Sequence, residues 1–263
     1  MSSVVRPLES GTHGTRLIAK GSMLLRLIAN ANYQGARLVD LTMHSGLERP
    51  TVRRILKGLI DEDLVRQDEE NRRYFLGALL FELGIAAVHR NRLSQIAAPS
   101  LARIARETGN NAHLVQRSGM DAVCIDRCDG TDPYQISTLD VGSRRPLGAA
   151  AGSLAILMGL PADEQRTIIK ANRTQMTYYE RVTGESTVAA IERCKVLGFA
   201  LMPTHIIPYM SGVGVAIGTK SLRASCALSV AALSDRIMEN RRYVFIAELL
   251  RQEALTIEQN LGD

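Results

Sequence analysis

Four cations, Arg49, Arg53, Arg54 and Lys57, fall within the nine residues 49–57 of SGLERPTVRRILKG, with no acid among them. Guanidinium and ammonium groups on one helix face are donors for phosphate oxygens, and arginine also matches the paired acceptors of a guanine edge. At helical spacing Val52, Ile55, Leu56 and Leu59 share an apolar stripe about 100° wide, which leaves Arg53, Arg54 and Lys57 on the opposite face. Pro50 sits in the first turn, where a missing N–H does no harm, and Glu48 stands at the positive end of the helix dipole. Three cations on an outer face can also be merely solvated. The neighbouring elements decide between the two.

A second chemistry is offered by GAAAGS at Gly148–Ser153. These residues have almost no side chain, so a ligand can approach the backbone N–H groups that open a helix, and unpaired donors at a helix start favour a carboxylate. The competing reading is that small residues only permit tight packing of helix on sheet. From chemistry alone the two stay open.

The elements around the first cluster form a recognisable order. Residues 1–20 mix Ser, Gly, Thr and Pro and are expected to be a loose, flexible tail. Met23, Leu24, Leu27 and Ile28 give a helical stripe, Leu38, Val39, Leu41 and Thr42 a second, and Ser45-Gly46 a turn before the helix holding Arg53. Leu64-Val65-Arg66 and Arg72–Leu76 read as strands of a hairpin around the polar turn Gln67–Asn71. Helix, helix, turn, helix, hairpin is the order of a winged helix-turn-helix, which inserts its second motif helix in the major groove. Arg72 and Arg73 flank the hairpin within reach of phosphates, whereas Asp68, Glu69 and Glu70 at its tip repel DNA. DNA binding therefore outweighs the solvated face.

Residues 77–92 (GALLFELGIAAVHRNR) read as a connecting helix. Residues 93–263 then give a helix at IAAPSLARIARETG, two runs about Ser118-Gly119-Met120-Asp121 that form a β-hairpin, and a third strand over Tyr134–Leu139. Helices are expected at Ala149–Gly159, Ala162–Ala171 and Glu185–Gly198, strands near Phe199–Met202, Val213–Gly218 and Ala227–Ala231, and one final helix from Ser234 to about Asn260. Segregated strands and helices favour an α+β domain with an antiparallel sheet.

Composition narrows the classes. With 46% apolar residues over 263 positions the chain can bury real cores and is not disordered. The formal net charge is +5 and the pI near 9.2, a mild bias toward anionic partners. Residues 1–76 carry 12 Lys and Arg against 9 Asp and Glu, so the excess is denser at the front. No run approaches the ~18 apolar residues of a membrane span, and the N-terminus lacks a secretory core, so a cytoplasmic protein without a membrane partner is expected. Cys124, Cys128, Cys194 and Cys226 form no zinc set and are expected to be buried reduced thiols, with no metal and no cofactor.

SGLERPTVRRILKGLIDEDLV, then RRYFLG, then Pro99–Gly109, then VGSRRPLGAAAGSLAIL at Val141–Leu157 resemble the IclR family of bacterial transcriptional regulators, in order and spacing, over nearly the whole chain. The resemblance implies a winged helix-turn-helix over 21–76 joined by a helix to a GAF-like effector-binding domain. It also implies operator DNA, a small organic-acid effector, and a homodimer or homotetramer. Carried over position by position, it implies a recognition helix with Thr51, Arg53, Arg54 and Lys57, to which Arg49, Arg72 and Arg73 are added as DNA-binding candidates. It places the effector pocket at Gly148–Ser153, with Gly148, Ala151, Gly152 and Ser153, at Ser229, and at the loop holding Thr204 and His205. Apolar walls are expected from Leu139, Val141 and Val215, and Arg144 and Arg145 are expected to be solvated in a loop. Where the family often has Gly-Lys this chain has Ser153-Leu154, so any role of that lysine is absent.

The rival class is a small-molecule-metabolising enzyme with an incidental helix-turn-helix-like segment. No Ser-His-Asp arrangement, HExxH or Walker loop occurs. GVGVAIG at Gly212–Gly218 only superficially suggests a dinucleotide loop, because an apolar strand follows rather than a helix. His113, on a strand with Asn111 and Val115, has no evident catalytic partner.

Overall fold

A computed structural model describes residues 13–31, 34–88, 92–132, 139–183, 185–203, 209–218 and 225–262. The chain divides into two compact units, Met1–Asn91 and Arg92–Asp263. Among the described residues no helix is long and apolar enough to cross a membrane.

The first unit runs α1 (His13–Ala31), α2 (Leu38–Ser45), α3 (Arg49–Asp61), β1 (Val65–Gln67), β2 (Tyr74–Leu76) and α4 (Ala78–Val88). The expectation of a loose tail through residue 20 is corrected, since α1 starts at His13. Residues 15–18 are exposed, so this extension is held by helix continuity, and burial begins near Met23. Leu24, Ile28, Leu41, Val52, Leu56, Val65 and Tyr74 close one core. Gly46 ends α2 in the left-handed region (φ 65°), which an unbranched backbone reaches without strain and which aims the chain into α3.

The hairpin β1–β2 pairs Val65 with Leu76 and Gln67 with Tyr74. Tyr74 also exchanges two 2.9 Å backbone hydrogen bonds with Ala36, fastening the wing to the segment before α2. Gly77 then passes so close to the turn after α3 that a Cβ there would lie 1.9 Å from the Asp63 carbonyl oxygen.

The second unit is a six-stranded antiparallel sheet in the order β5-β4-β3-β8-β7-β6. Its strands are β3 (Asn111–Ser118), β4 (Asp121–Cys128), β5 (Arg144–Pro146), β6 (Ala200–Met202), β7 (Met210–Ile217) and β8 (Cys226–Leu233). One face packs on α5 (Leu93–Thr108) and α10 (Arg242–Leu261), the other on α6 (Ala151–Met158). The helices α7 (Ala162–Thr183), α8 (Thr187–Leu197) and α9 (Ser234–Met238) complete it.

Three expectations change here. The helix from Ala162 continues to Thr183, since Asn172 and Met176 keep its buried stripe and no breaker intervenes. The final helix is two helices, because Asn240 and Arg241 both take left-handed values (φ 50° and 56°) and turn the chain between α9 and α10. Arg144 and Arg145 lie on the edge strand β5, where Arg144 pairs with Val123 and Arg145 with Ala122. The expected third strand at Tyr134–Leu139 lies outside the described residues up to residue 138.

On the α5–α10 side Arg103 grips Glu253 with two hydrogen bonds, 2.8 and 2.6 Å, and its Nη2 also donates to the Ser100 hydroxyl. The Arg103 hydrogen bonds hold the Glu253 carboxyl below its usual range against the opposing effect of burial. A carboxyl depressed in this way stabilises the fold above its unfolded value of about 4.3, and the contribution fades as pH falls through the folded value. Glu253→Gln should cost about 1–3 kcal/mol at neutral pH, as for hydrogen bonds to a charged partner. Urea titrations of variant and parent should converge only as the pH falls through the depressed folded value, below which the parent carboxyl is also neutral.

Candidate nucleic-acid interface and ligand cavity

The exposed face of α3 follows from its amphipathic cut. Val52, Ile55 and Leu56 are buried, while Arg49, Arg53, Arg54 and Lys57 are all exposed. Among the described residues none of these four cations makes an ion pair or a side-chain hydrogen bond. Other arginines of the unit are engaged: Arg37 pairs with Asp40 at 2.7 Å, and Arg66 lies 4.6 Å from the Phe75 ring centroid. Thr51 is half-buried on the same turn. Four unpaired cations on one exposed helix face can take phosphate oxygens and base edges without first breaking internal contacts.

The hairpin arginines divide. Arg72 is exposed with φ 57°, beside the tip. Arg73 Nη1 donates 3.0 Å hydrogen bonds to the Gln34 and Gly35 carbonyls, so the expectation that Arg73 reaches a phosphate gives way to a structural role. Gly35 (φ 67°) is needed at that contact, for a Cβ would stand 2.4 Å from the Phe75 ring.

The ligand cavity is built where α6 meets the sheet. Gly212 and Gly214 let the first turn of α6 rest on β7, since a Cβ at Gly214 would lie 2.4 Å from the Ala151 oxygen. Ala150 precedes the helix in extended conformation, and Ser153 Oγ accepts its N–H at 2.9 Å. The ladder begins only at Leu154, whose N–H donates to the Ala150 oxygen at 2.7 Å. Ala151, Gly152 and Ser153 thus bring the orphan donors of the helix start to the space beneath them.

That space is narrow, about 30 Å³ open to the centres of water molecules, and is lined by His113, Val115, Ala122, Leu139, Arg145, Ala150–Ser153, Gly212 and Ser229–Ala231. At ~10–15 Å³ per water it has room for two or three. Ser229 is only 7% exposed, and its hydroxyl makes no hydrogen bond among the described residues. It faces the helix start, since a Cβ at Gly152 would stand 3.0 Å from Ser229 Oγ. His113 is opposite Ser229 in the β3–β8 register. Burial pushes the Cys124 thiol up to about 12 and the Cys226 thiol up to about 11, so neither is a thiolate near neutral pH.

The IclR helix-turn-helix domain matches residues 17–69, and the bacterial transcriptional regulator IclR C-terminal domain matches residues 85–259. The chain belongs to the IclR family. The IclR-family regulator KipR of Bacillus subtilis is 24% identical over 94% of this chain and 97% of its own length. The repressor AllR of Escherichia coli K12 is 25% identical over 95% of this chain and 91% of its own. An IclR family transcriptional regulator from Brucella abortus shares the fold with a TM-score of 0.76 at 18% identity, covering 97% of this chain and 96% of that one. An IclR homologue from Microbacterium hydrocarbonoxydans, solved with 4-hydroxybenzoate, superposes with a TM-score of 0.66 at 18% identity over 93% of this chain and 98% of its own.

Against this IclR frame, Leu139, Ala151, Gly152, Ser153 and Ser229 come together around one cavity. Three candidates do not. Val141 is 55% exposed. Val215 lies one residue out of phase with Gly212 and Gly214, which turns it to the α10 face of β7. Gly148 (φ 99°) faces Thr187 and Met176 instead. Thr204 and His205 lie outside the described residues. His113, Val115, Ala122 and Arg145 were missed as lining residues. The pairing of β3 with β8 and of β4 with β5 brings them in, and strand pairing is not written in local pattern.

If the unpaired face of α3 reads DNA, Arg53→Ala and Arg54→Ala should each weaken operator binding by about 1–3 kcal/mol where the side chain makes a bidentate base contact. A phosphate contact would instead weaken all duplexes alike and flatten the salt dependence. Fluorescence anisotropy at several salt concentrations separates these outcomes, and full affinity in a folded Arg53→Ala/Arg54→Ala/Lys57→Ala variant would remove the assignment.

Proposed function

We propose that this cytoplasmic regulator binds a partly palindromic operator as a homodimer, alone or within a homotetramer, and that a small organic acid seated under the start of α6 alters that binding. The observation that carries the effector half is the cavity itself. Backbone donors at Ala151, Gly152 and Ser153 share it with the unpartnered Ser229 hydroxyl. A carboxylate there gains the field of the helix terminus and several N–H donors at once. The 4-hydroxybenzoate in the Microbacterium homologue, itself a carboxylate, is consistent with this chemistry.

The dimer half rests on α4. Phe81 and Ile85, one turn apart on the same face, are 72% and 51% exposed on a helix whose sole charged residue is Glu82. A second copy of the chain covers such a face, and two-fold pairing supplies two half-sites where one α3 reads too few base pairs for selectivity. We read the cavity as a binding site and not a catalytic one, since its chemistry is that of donors awaiting an anion.

A thermal-shift screen of organic acids tests the effector half, because a ligand at 100 times its Kd adds about 2.7 kcal/mol to stability. A hit should lose about 1 kcal/mol of affinity in Ser229→Ala, the value of one hydrogen bond. Undiminished binding in both Ser229→Ala and Gly152→Val would place the ligand elsewhere. For the dimer, Phe81→Glu should sediment as a smaller species and bind the operator more than tenfold more weakly; a monomeric parent with full affinity would refute it.

A further inference from the structure

The cavity under α6 is shallow as well as narrow. A Cβ at Gly152 would stand 2.8 Å from Val115 Cγ2 and 3.0 Å from Ser229 Oγ, so not even a methyl group fits between the helix start and the strands at that point. At Gly212 a Cβ would stand 3.0 Å from the Ala151 Cβ. The free space is therefore what Val115, Ala122, Leu139 and Ser229 leave beside that contact, room for two or three waters. Val115 is the wall least able to give way. It is 2% exposed and stands between Cys124 of β4 and Ala227 of β8 in the strand register. Its branching at Cβ also restricts the side chain to few rotamers.

We infer that the acid seated there is a monocarboxylate of only two or three carbons, and that Val115 sets this limit. The inference rests on the effector reading proposed above and adds to it the size of the ligand and the residue that decides it. Two or three waters have a bulk of about 60–90 Å³, at ~30 Å³ each. A carboxylate with one or two further carbons is of that bulk, whereas a benzene ring must push protein atoms aside. Close-packed walls resist such a push, and overfilling them is unfavourable. The two parts of a short acid also match the lining. Its carboxylate meets the N–H groups at the start of α6 and the Ser229 hydroxyl, while its hydrocarbon end meets Val115 and Ala122. So few atoms cap the affinity in roughly the micromolar range, which calorimetry reads.

Titration of the full-length protein at pH 7 and fixed ionic strength with formate, acetate, propionate, butyrate and benzoate tests this. Binding should be tightest for acetate or propionate, at least tenfold weaker for butyrate, and absent for benzoate. Val115→Ala, which removes two methyl groups from the wall, should raise the affinity for butyrate relative to acetate tenfold or more. Val115→Ile, which adds a carbon, should weaken propionate about tenfold and leave formate within twofold. The two variants shift the preferred chain length in opposite directions, which a general loosening of the fold does not do. Butyrate or benzoate bound by the parent as tightly as acetate overturns the inference and leaves the effector reading standing. An order of chain lengths unmoved in both variants, each melting cooperatively, removes Val115 as the limiting wall. Failure of the parent to bind any acid of the series, or any other carboxylate, removes the effector reading and the inference together.

Discussion

The first turn of α6 can lie on β7 only because Gly212 and Gly214 have no side chains. A methyl at position 214 would meet the Ala151 oxygen at 2.4 Å and the Gly152 nitrogen at 2.9 Å, so the helix start would have to lift away. That close approach sets the height of α6 above Ser229 and therefore the depth of the cavity. It also fixes where the helix N–H groups point. Ser153 contributes from within the helix, taking the Ala150 N–H and leaving the next three donors to the cavity. Geometry on the ångström scale at two glycines thus decides whether the site exists.

The first unit is organised around a similar economy of contacts. Tyr74 and Ala36 tie the wing to the helices, Arg73 locks the same segment through the Gln34 and Gly35 carbonyls, and Gly77 lets α4 start against the turn after α3. These bonds involve the backbone and one arginine. The cations of α3 take no part in them and stay unpaired on an exposed face. The residues that hold the unit together are therefore not the exposed cations of α3, and these cations can be substituted without touching the core.

Much of the architecture was legible because it rests on periodicity. The stripe of Val52, Ile55 and Leu56, the Gly46 turn and the hairpin at Gly119 each follow from local pattern and turn chemistry. What was not legible depends on partners distant in sequence. Arg145 reads as a loop charge until β4 supplies Ala122 opposite it. Val215 reads as a cavity wall until the register of β7 turns it to the other face. The break at Asn240 and Arg241 is only half written in the sequence, because asparagine enters the left-handed region readily whereas the arginine beside it does so only in this setting. Arg73 matched the residue type wanted at a phosphate, but tertiary carbonyls claimed it.

The acidic tip of the wing has a consequence for how this surface can change. Asp68 folds the turn with its own carboxylate, whose Oδ1 accepts the N–H of Glu70 at 3.1 Å and of Asn71 at 3.0 Å. Asn71 in turn accepts the Arg73 N–H at 2.9 Å, so the negative charge and the shape of the turn come from the same atoms. Exchange of Asp68 for a lysine would reverse the charge and unmake the turn in one step. A descendant that probes the minor groove with a basic wing is thus not one substitution away. The charge of this unit's surface changes more readily through α3, whose exposed cations make no internal bond among the described residues.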